Sequence, residues 1–530
     1  MNTTTQLLHS GKIYTLDPQR PTATAIAIQG GKIIAVGKDE EIQNAFPGAI
    51  SHQLEGNTVI PGLTDAHIHL KHYALNLKKV DCETPSREAC LHRIAERAQK
   101  TPVGTWILGH GWNQNEWPEG YGFAADLDKV APHHPVYLTA KSLHAAWANT
   151  KALKIARITA QTTDPPGGRL SRDECGQPTG LLFEKAMQLI SDILPEPTVP
   201  ELADAFMNAQ VALWKLGVTG VHDFDRHLSF RALQSLHNEG KLKLRVLKNI
   251  PLEQCSHAIN LGLHSGFGDD MLRIGGIKTF VDGALGPQTA AMLAPYQGHG
   301  DEVGMLLYST DKLYTECQIA AEHGLSMSIH AIGDRANRVT LDTYTQLRVY
   351  EKAHNLPHLR HRIEHVQLID PQDAPRLAAL NVIASMQPIH ATSDMEMADR
   401  YWGERAQNAY AWQTLLQHST HLAFGSDAPV EIPNPFWGIH AAVTRRRPDG
   451  TPGPEGWYPQ QRLSLMESIC AYTSGPAYAA GMENRIGKLA PGYYADLLVL
   501  ARDPFSCSQE ALRDILPQAT MVNGTWVWSN

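Results

Sequence analysis

The chain has 530 residues, of which 43% are hydrophobic and 19% charged, with a formal net charge of -8 at pH 7. This length fits about two or three domains, or a barrel of roughly 250 residues or more with additions. The acidic balance excludes the basic surface typical of nucleic-acid-binding proteins, so no nucleic-acid partner is expected.

Cysteine usage and the N-terminal sequence indicate the cellular compartment. The seven cysteines are scattered and form no Cys-x-x-Cys pair, which disfavours both a disulfide framework and a thiolate zinc site. The first residues lack the basic start and apolar core of a signal peptide, and no window is apolar enough for a membrane helix. We therefore expect a soluble, cytoplasmic protein with no membrane partner.

Both ends of the chain have the pattern of short strands. The Gly-Gly pair at 30–31 separates two β-rich runs and predicts a hairpin, and the Asn-Gly pair at 523–524 gives the same signal. Each end is too small to be stable alone. Residues 1–60 and 485–530 are therefore predicted to form one small β-sandwich domain together.

The central segment, residues 61–484, alternates apolar β runs with helical patterns, such as Asp311 to His323 and Asp334 to Ala353. This alternation is typical of α/β folds with a parallel sheet, either doubly wound or closed into a barrel. A total of eight β runs favours a TIM-like (β/α)8 barrel. The predicted strands end at or near His69, Phe224, Leu247, Phe280, His330, His365, Met386 and Asp427.

The interval between the first two predicted strands is too long for one crossover. Residues 72–200 are interpreted as an inserted lid subdomain, which at this position would lie over the C-terminal mouth, where such barrels keep their active sites. Within it, Trp112 is expected either in a core or against a substrate. His144 follows an apolar run, so it would stand at a strand end and face the mouth, where contact with a substrate is one of its two expected roles.

Residues able to bind a metal ion fall at the C-terminal ends of the predicted strands. His67 and His69 alternate on an extended segment, so both imidazoles would point to one side. Strand ends converge in a barrel, and neutral imidazoles with a carboxylate suit zinc or a similar divalent ion. The six candidates are His67, His69, Lys278, His330, His365 and Asp427.

Three acidic residues in these stretches allow other roles. Asp427 follows Gly-Ser and would alternatively cap the next helix. Asp282, four residues after Lys278, would either orient a substrate or tie down its own loop. Glu364 would face away from its neighbour on the strand, so a structural role is expected for it.

Six short motifs carry a family resemblance along nearly the whole chain. They run from Pro61 to His69, Ile277 to Gly286, His330 to Asp334, Ile363 to His365, Gly425 to Pro429 and Gly487 to Asp496. With these motifs the chain resembles the amidohydrolase superfamily, in the amidohydrolase-3 branch of metal-dependent hydrolases that includes N-substituted formamide deformylases and aepA-type proteins. Each motif alone is weak, but their combination in this order is specific.

The resemblance implies a binuclear metal centre. The two histidines of the first motif would bind the more buried ion, and His330 and His365 the second. Asp427 would bind the first ion and act as general base, and Lys278 would be carboxylated and bridge both ions. An ammonium beside two divalent cations would be repelled, which also favours the carbamate; a single ion with a lysine ion pair is the alternative. Zinc is expected, although iron, manganese and cobalt accept the same ligands.

The implied activity is hydrolysis of a carbon-nitrogen bond other than a peptide bond, of amide, N-formyl or N-acyl amine type, in a small-molecule substrate. A metal-activated hydroxide would attack the carbonyl, with Asp427 as general base and then acid. One alternative is a mononuclear deaminase of the same superfamily, although its glutamate is replaced here by Gly333 followed by Asp334. The other is a non-enzymatic regulator of the aepA type. A homo-oligomer is compatible with the sequence.

Overall fold

Eight parallel strands form the central barrel. The structure is a computed structural model that describes residues 4–114, 117–141 and 145–530. Each barrel strand pairs in parallel with the next one along the chain. The strands are β1 (Leu63–Ile68), β2 (Val218–Asp223), β3 (Arg245–Pro251), β4 (Leu272–Phe280), β5 (Met327–Ala331), β6 (Arg362–His365), β7 (Ile383–Met386) and β8 (Leu422–Phe424).

The barrel closes between β1 and β8. The backbone N–H of Asp427 donates to the carbonyl of His67 (2.7 Å), and that of His69 donates to the carbonyl of Ala428 (2.9 Å). Ile68 and Ala428 also form a parallel bridge. The predicted TIM-like barrel is thus confirmed as a nearly closed eight-stranded barrel, and the doubly wound alternative is wrong.

The register of the strands determines which side chains share one end of the barrel. Phe280 of β4 pairs with His330 of β5, and Ala331 of β5 pairs with His365 of β6. Every residue of β1, β5 and β6 is buried, as expected for parallel strands covered on both faces. Because all eight strands run in the same direction, their carboxyl ends form a single rim.

Helices connect the barrel strands, and the two predicted examples are present at Thr310–Glu322 and Asp334–Ala353. The first begins where it does because the side chain of Ser309 caps it by accepting a hydrogen bond from the N–H of Lys312. No helix within the described residues is long and apolar enough to cross a membrane. The remaining helices around the barrel are Leu70–Asn76, Val199–Lys215, His227–Asn238, Cys255–Asn260, Ala374–Ala379, Pro388–Trp402, Trp412–Gln417, Pro435–Thr444, Leu465–Ala471 and Ser474–Ala479, with short 3₁₀ turns at Leu252–Gln254, Gly403–Asn408, Pro459–Gln461 and Glu510–Asp514.

The two ends of the chain form two sheets that pack on each other. One buried cluster takes Leu8 and Ile26 from the first sheet and Val59 and Leu497 from the second, so the predicted sandwich of both termini is confirmed. Both predicted hairpins are present, with positive φ at both turn residues, as such two-residue turns require. The first sheet contains Lys32–Gly37, Ala25–Gln29, Gln6–His9 and Ile50–Gln53, in that order. The second contains Thr525–Ser529, Pro517–Val522, Leu497–Leu500, Thr58–Pro61, Lys12–Tyr14 and Thr22–Ala23. A short helix, Asp39–Ala45, follows the first hairpin.

Residues Ala74–Glu201 form a compact unit of their own. Its core includes Trp112, Trp117 and Trp147, whose neighbouring ring centroids lie 6.1 Å apart. The expectation that this part of the chain covers the mouth of the barrel stays a prediction. Its sheet contains, in order, Gly168–Arg172, Pro178–Glu184, Ala145–Ala148, Val136–Ala140, Ile107–Trp112 and Val80–Asp81. Its helices are Arg87–Lys100, Ala124–Val130, Thr150–Ile155 and Gln188–Ser191, with a 3₁₀ turn at Lys185–Met187.

Candidate metal centre

The six predicted metal-binding residues all line one cavity of about 400 Å³ at the carboxyl rim of the barrel. They come from the carboxyl ends of four strands, β1, β4, β5 and β6, and from the segment that follows β8. We call this space the rim cavity. The structure therefore brings together every member of the set, which is His67, His69, Lys278, His330, His365 and Asp427.

The distances between these side chains are those of a metal site. Ligand atoms of His67, His365 and Asp427 all lie within 4.8 Å of one another. Asp427 Oδ1 is 3.5 Å from His67 Nε2 and 3.4 Å from His69 Nε2. Two ligand atoms on one tetrahedral zinc ion lie roughly 3.4 Å apart, given bond lengths of about 2.1 Å. The donor atoms and their spacing therefore fit a divalent metal ion.

Each imidazole has an oxygen acceptor at the ring nitrogen that faces away from the cavity. Nδ1–H of His67 donates to Glu364 Oε2 (2.7 Å), and Nδ1–H of His365 donates to Gln387 Oε1 (2.8 Å). The other two acceptors are Asp225 Oδ1, 3.4 Å from His69 Nδ1, and the Gly283 carbonyl, 2.9 Å from His330 Nε2. Such an acceptor holds the hydrogen on one ring nitrogen, so the lone pair of the other nitrogen is available to a metal.

The electrostatic surroundings keep most of these groups in their metal-binding forms. Burial lowers the pKa of His67 to about 4 and that of His330 to about 3, so both imidazoles are neutral at pH 7. Burial alone would raise the pKa of Asp427, but the imidazoles around it, first of all His67, hold this pKa well below its usual range. His69 differs: the carboxylates of Asp225 and Asp427 outweigh the effect of burial and raise its pKa to about 9.

Lys278 has an unusual environment for a lysine. Its side chain is buried, at 4% exposure, and Nζ has no hydrogen-bond partner among the described residues. Nζ lies 4.5 Å from the ring centroid of Phe280 and 5.1 Å from that of Phe224. Burial lowers the pKa of this amine to about 8, against the opposing effect of nearby carboxylates. An amine without a partner in a cavity of metal-binding groups fits a lysine that becomes carboxylated.

The backbone at the ends of β6 and β8 departs from extended geometry. His365 has φ 79° and Asp427 has φ 58°, both in the left-handed region. Such a conformation costs on the order of 1–3 kcal/mol and is concentrated at functional sites. At His365 it breaks the alternation of the strand, so Glu364 and His365 both contribute to the site.

The structural role expected for Glu364 agrees with its contacts, which include the site itself. Its side chain is fully buried and contacts the ring of His67. Burial would raise the pKa of Glu364, but the guanidinium of Arg362 and the imidazole of His67 hold it well below the usual range. Strict alternation along a strand predicts side-chain direction only while the backbone remains extended.

The predictions for Trp112 and His144 in the Ala74–Glu201 unit have separate outcomes. Trp112 is 1% exposed in the core of the Ala74–Glu201 unit, and its Nε1–H donates to the Leu138 carbonyl (2.9 Å). This packing supports the first of its two predicted roles. His144 lies outside the described residues.

Asp282 ties down its loop, which is the second of its two predicted roles. Its carboxylate accepts hydrogen bonds from the backbone N–H groups of Ala291 (2.9 Å), Ile332 (3.0 Å) and Gly333 (2.8 Å). Burial raises its pKa to about 7, and these three donors oppose that rise. Because both carboxylate oxygens are occupied by backbone groups, Asp282 is placed to hold the loop after β4 against the one after β5.

Sequence reasoning missed four residues of the site. Asp225 and Gln387 stand behind imidazoles, whereas Gln367 and His390 line the rim cavity itself. All four come shortly after a barrel strand, at the position that identified the metal-binding candidates. Applying that rule to β2 and β7, which contribute no predicted ligand, would have found Asp225 and Gln387.

Comparisons with known proteins agree with this geometry. The model of the amidohydrolase family matches residues 53–528. The chain is 34% identical to the protein LONG AFTER FAR-RED 3 of Arabidopsis thaliana, over 98% of this chain and 90% of that protein. It is 28% identical to the N-substituted formamide deformylase of Arthrobacter pascens, over 98% and 97%.

Solved structures extend the likeness to the fold. The crystal structure of an uncharacterized metal-dependent hydrolase from Pyrococcus furiosus superposes with a TM-score of 0.80 at 29% sequence identity. That match covers 95% of this chain and 100% of the other. The family match over most of the chain, the barrel and the ligand geometry lead to one conclusion: this chain belongs to the amidohydrolase family.

Proposed function

We propose that the chain is a metal-dependent amidohydrolase that cleaves the C–N bond of an amide, of N-formyl or N-acyl amine type, in a small molecule. The observation that carries this proposal is the convergence of four imidazoles, one carboxylate and one unpartnered amine on the rim cavity. The N-substituted formamide deformylase of Arthrobacter pascens, similar over nearly its whole length, supports the bond type.

The proposed centre holds two divalent ions, with zinc as the first choice. The two β1 histidines and Asp427 would hold the first ion, and His330 and His365 would hold the second. When bound, such ions lower the pKa of water and polarise a carbonyl group, which is the chemistry that amide hydrolysis needs. Four of these ligands are anionic or neutral at pH 7, as ligation requires, and His69 becomes neutral by losing its proton.

Lys278 is proposed to bridge the two ions as a carbamate. Its neutral amine adds to the carbon of CO₂ and loses one proton, which yields the anionic N-carboxyl group. The lowered pKa increases the neutral fraction of the amine at pH 7, and the absence of a hydrogen-bond partner within the described residues leaves its lone pair available. The anion replaces a cation that two divalent ions would repel.

Asp427 is proposed to carry the proton during hydrolysis. Its carboxylate is ionised, it stands at the cavity and it lies within 3.5 Å of His67 Nε2 and 3.4 Å of His69 Nε2. It takes one proton from the attacking water and returns it to the nitrogen as the C–N bond breaks. The water oxygen ends in the carboxylic acid and the returned proton ends on the released amine.

Among the residues that the structure describes, no contact favours the deaminase alternative. The residue nearest to its expected glutamate is Asp334, whose Oδ1 accepts hydrogen bonds from the backbone N–H groups of Leu293 (2.7 Å) and Arg335 (2.9 Å). This carboxylate is therefore engaged with its own loop.

Metal content combined with intact mass and hydrolysis assays tests the proposal. We expect two ions per chain, an added mass of one CO₂ that Lys278→Ala abolishes, and hydrolysis of N-formyl or N-acyl amines that a chelator stops. Asp427→Asn is expected to lower kcat by about 100- to 10,000-fold. One ion with deaminase activity, or no ion and no turnover, would contradict the proposal in favour of the deaminase or the regulator, respectively.

A further inference from the structure

Two polar side chains on the wall of the rim cavity have no role in the mechanism above. Gln367 follows β6 by two residues, and His390 lies in the first turn of the helix Pro388–Trp402. Both line the cavity, with exposures of 4% and 5%. The ring of His390 is nearly parallel to that of His365, with centroids 6.2 Å apart. The pair is therefore beside the candidate metal ligands without belonging to them.

Each of these side chains has one polar atom without a partner. Gln367 Nε2 lies 3.5 Å from His390 Nδ1, so these two atoms satisfy each other weakly. Gln367 Oε1 and His390 Nε2 are buried and have no hydrogen-bond partner anywhere in the described residues. Buried polar atoms are normally paired, and one unpaired atom on each of two contacting side chains that line a cavity indicates that a ligand supplies the missing partners.

The contact between the two side chains determines what they offer to a ligand. If Gln367 Nε2–H donates to Nδ1, then His390 Nε2 carries a hydrogen and is a donor, and Gln367 Oε1 is an acceptor. If the amide is inverted, Oε1 accepts from Nδ1–H, so His390 Nε2 becomes an acceptor and the Gln367 N–H a donor. In both arrangements the wall presents one donor and one acceptor.

A donor and an acceptor on the same wall match a group that offers the opposite pair along one edge. An amide in the trans form directs N–H and C=O to opposite sides, and the cis form of an ordinary secondary amide is unfavourable. A primary carboxamide or a ring amide, in contrast, has N–H and C=O on the same edge. Phe280, Leu285 and Ile332 also line the cavity and would contact the carbon skeleton.

We infer that Gln367 and His390 are specificity-determining residues that bind the N–H and C=O edge of a cis amide, such as a ring amide. This inference rests on the proposed function for its chemistry, because it selects one class among the amides. The bound amide would supply a hydrogen-bond partner to Gln367 Oε1 and to His390 Nε2. The amide N–H is therefore predicted to contribute to binding.

The test is a binding measurement on the metal-loaded protein with 2-piperidone and N-methyl-2-piperidone as probes. The first probe has the amide N–H on the carbonyl edge, and the second has a methyl group there. We expect the first to bind at least tenfold more tightly in a ligand-observed NMR titration. We expect Gln367→Met and His390→Leu to reduce this preference to less than threefold. Equal affinities of the two probes for the unmodified protein would overturn the inference.

Two further variants separate specific effects from structural ones. Met397→Leu changes an apolar residue of the same cavity and the same helix, so it is expected to leave the tenfold preference intact. Gln367→Glu keeps an acceptor oxygen but loses the amide donor, so it is expected to retain more of the preference than Gln367→Met in the arrangement in which Oε1 accepts from the ligand. A preference that survives in both Gln367→Met and His390→Leu would also overturn the inference. Because binding needs no turnover, a retained preference without hydrolysis of any amide would count against the proposed function alone.

Discussion

The two halves of the candidate metal centre differ in what stands behind their imidazoles. In the first half, the imidazoles of His67 and His69 face the carboxylates of Glu364 and Asp225. In the second half, the imidazole of His365 faces the neutral amide of Gln387, and that of His330 faces a backbone carbonyl at 2.9 Å. The carboxylate of Asp282 lies further from His330 Nε2, at 3.6 Å, and already accepts three backbone hydrogen bonds. The imidazoles themselves are alike, so this difference lies in the groups behind them.

A carboxylate behind an imidazole makes the ring a better electron donor and fixes its orientation. The first half also includes Asp427, which brings a third carboxylate to the same side. We therefore expect the first site to bind its ion more tightly than the second. The comparison teaches that pairs of identical imidazoles need not give equal sites.

The largest effect is expected from Glu364→Gln, which keeps the shape of the side chain and removes its charge. Metal affinity of the first site should fall about 100-fold, because the buried carboxylate no longer polarises His67. The free energy of unfolding of the metal-free protein should fall by about 3 kcal/mol, because Arg362 loses its buried partner. Competition with a chromophoric chelator and urea denaturation measure the two quantities.

Glu351→Gln is the matched control for this change. Glu351 also pairs a buried histidine with an arginine, at 2.9 Å from His361 Nε2 and 2.7 Å from Arg348 Nη1, but it is not part of the rim cavity. The Glu351→Gln variant should lose stability and keep its metal affinity. Equal loss of metal affinity in both variants would mean that Glu364 acts through the fold and not through His67.

The second prediction concerns the pH dependence of metal binding. In the metal-free protein His69 has a pKa of about 9, so it is protonated at pH 7 and must release a proton to bind an ion. First-site affinity should therefore rise about tenfold per pH unit between pH 7 and 9. The imidazoles of the second site, with pKa values lowered by burial, release none. Calorimetric titration in two buffers of different ionisation enthalpy measures the protons.

The same raised pKa has a consequence for the stability of the metal-free fold. A histidine whose folded pKa lies above its unfolded value of about 6.5 contributes stability that is complete below that value. This contribution is lost as the pH rises through about 9. A first-site affinity that does not change between pH 7 and 9 would refute the assignment of the proton to His69.

The third prediction is a gain in the metal affinity of the second site. Gln387→Glu places a carboxylate behind His365 at a position where the amide oxygen already lies 2.8 Å from Nδ1. Second-site affinity should rise about tenfold, and the two steps of a metal titration should move closer together. Gln387→Leu removes the acceptor and should widen the gap between the steps. If Gln387→Glu leaves the gap unchanged, charge behind the imidazoles does not set the ranking of the two sites.

The smallest effect is expected from Asp225→Asn. The carboxylate is 3.4 Å from His69 Nδ1, a longer contact than that of Glu364 with His67, so first-site affinity should fall less than tenfold. The pKa of His69 should fall, because one of the two carboxylates that raise it is gone. Histidine NMR of the metal-free protein measures this pKa. An unchanged pKa would show that the Asp225 carboxylate does not act on His69.

Much of the barrel and of the ligand set could be predicted from the sequence, because both follow from local pattern. Apolar runs with polar residues at their ends indicate strands that converge at one rim, and this pattern identified His330, His365 and Asp427. The groups behind the imidazoles could not be predicted in this way. Glu364 and Asp225 act on histidines that lie far from them in the sequence, and no local pattern indicates which histidine each one meets.

The proposed first metal site also lies on the line where the barrel closes. Its ligands come from β1 and from the segment after β8, and the backbone of Asp427 is bonded directly to that of His67. A chain that is still being synthesised therefore has no first site until its last barrel strand has emerged and joined the first. The second site joins neighbouring strands, β5 and β6, and can form earlier. Tight metal binding at the proposed first site would thus report that the barrel is complete, and an ion held there would keep the first and last strands together against local opening.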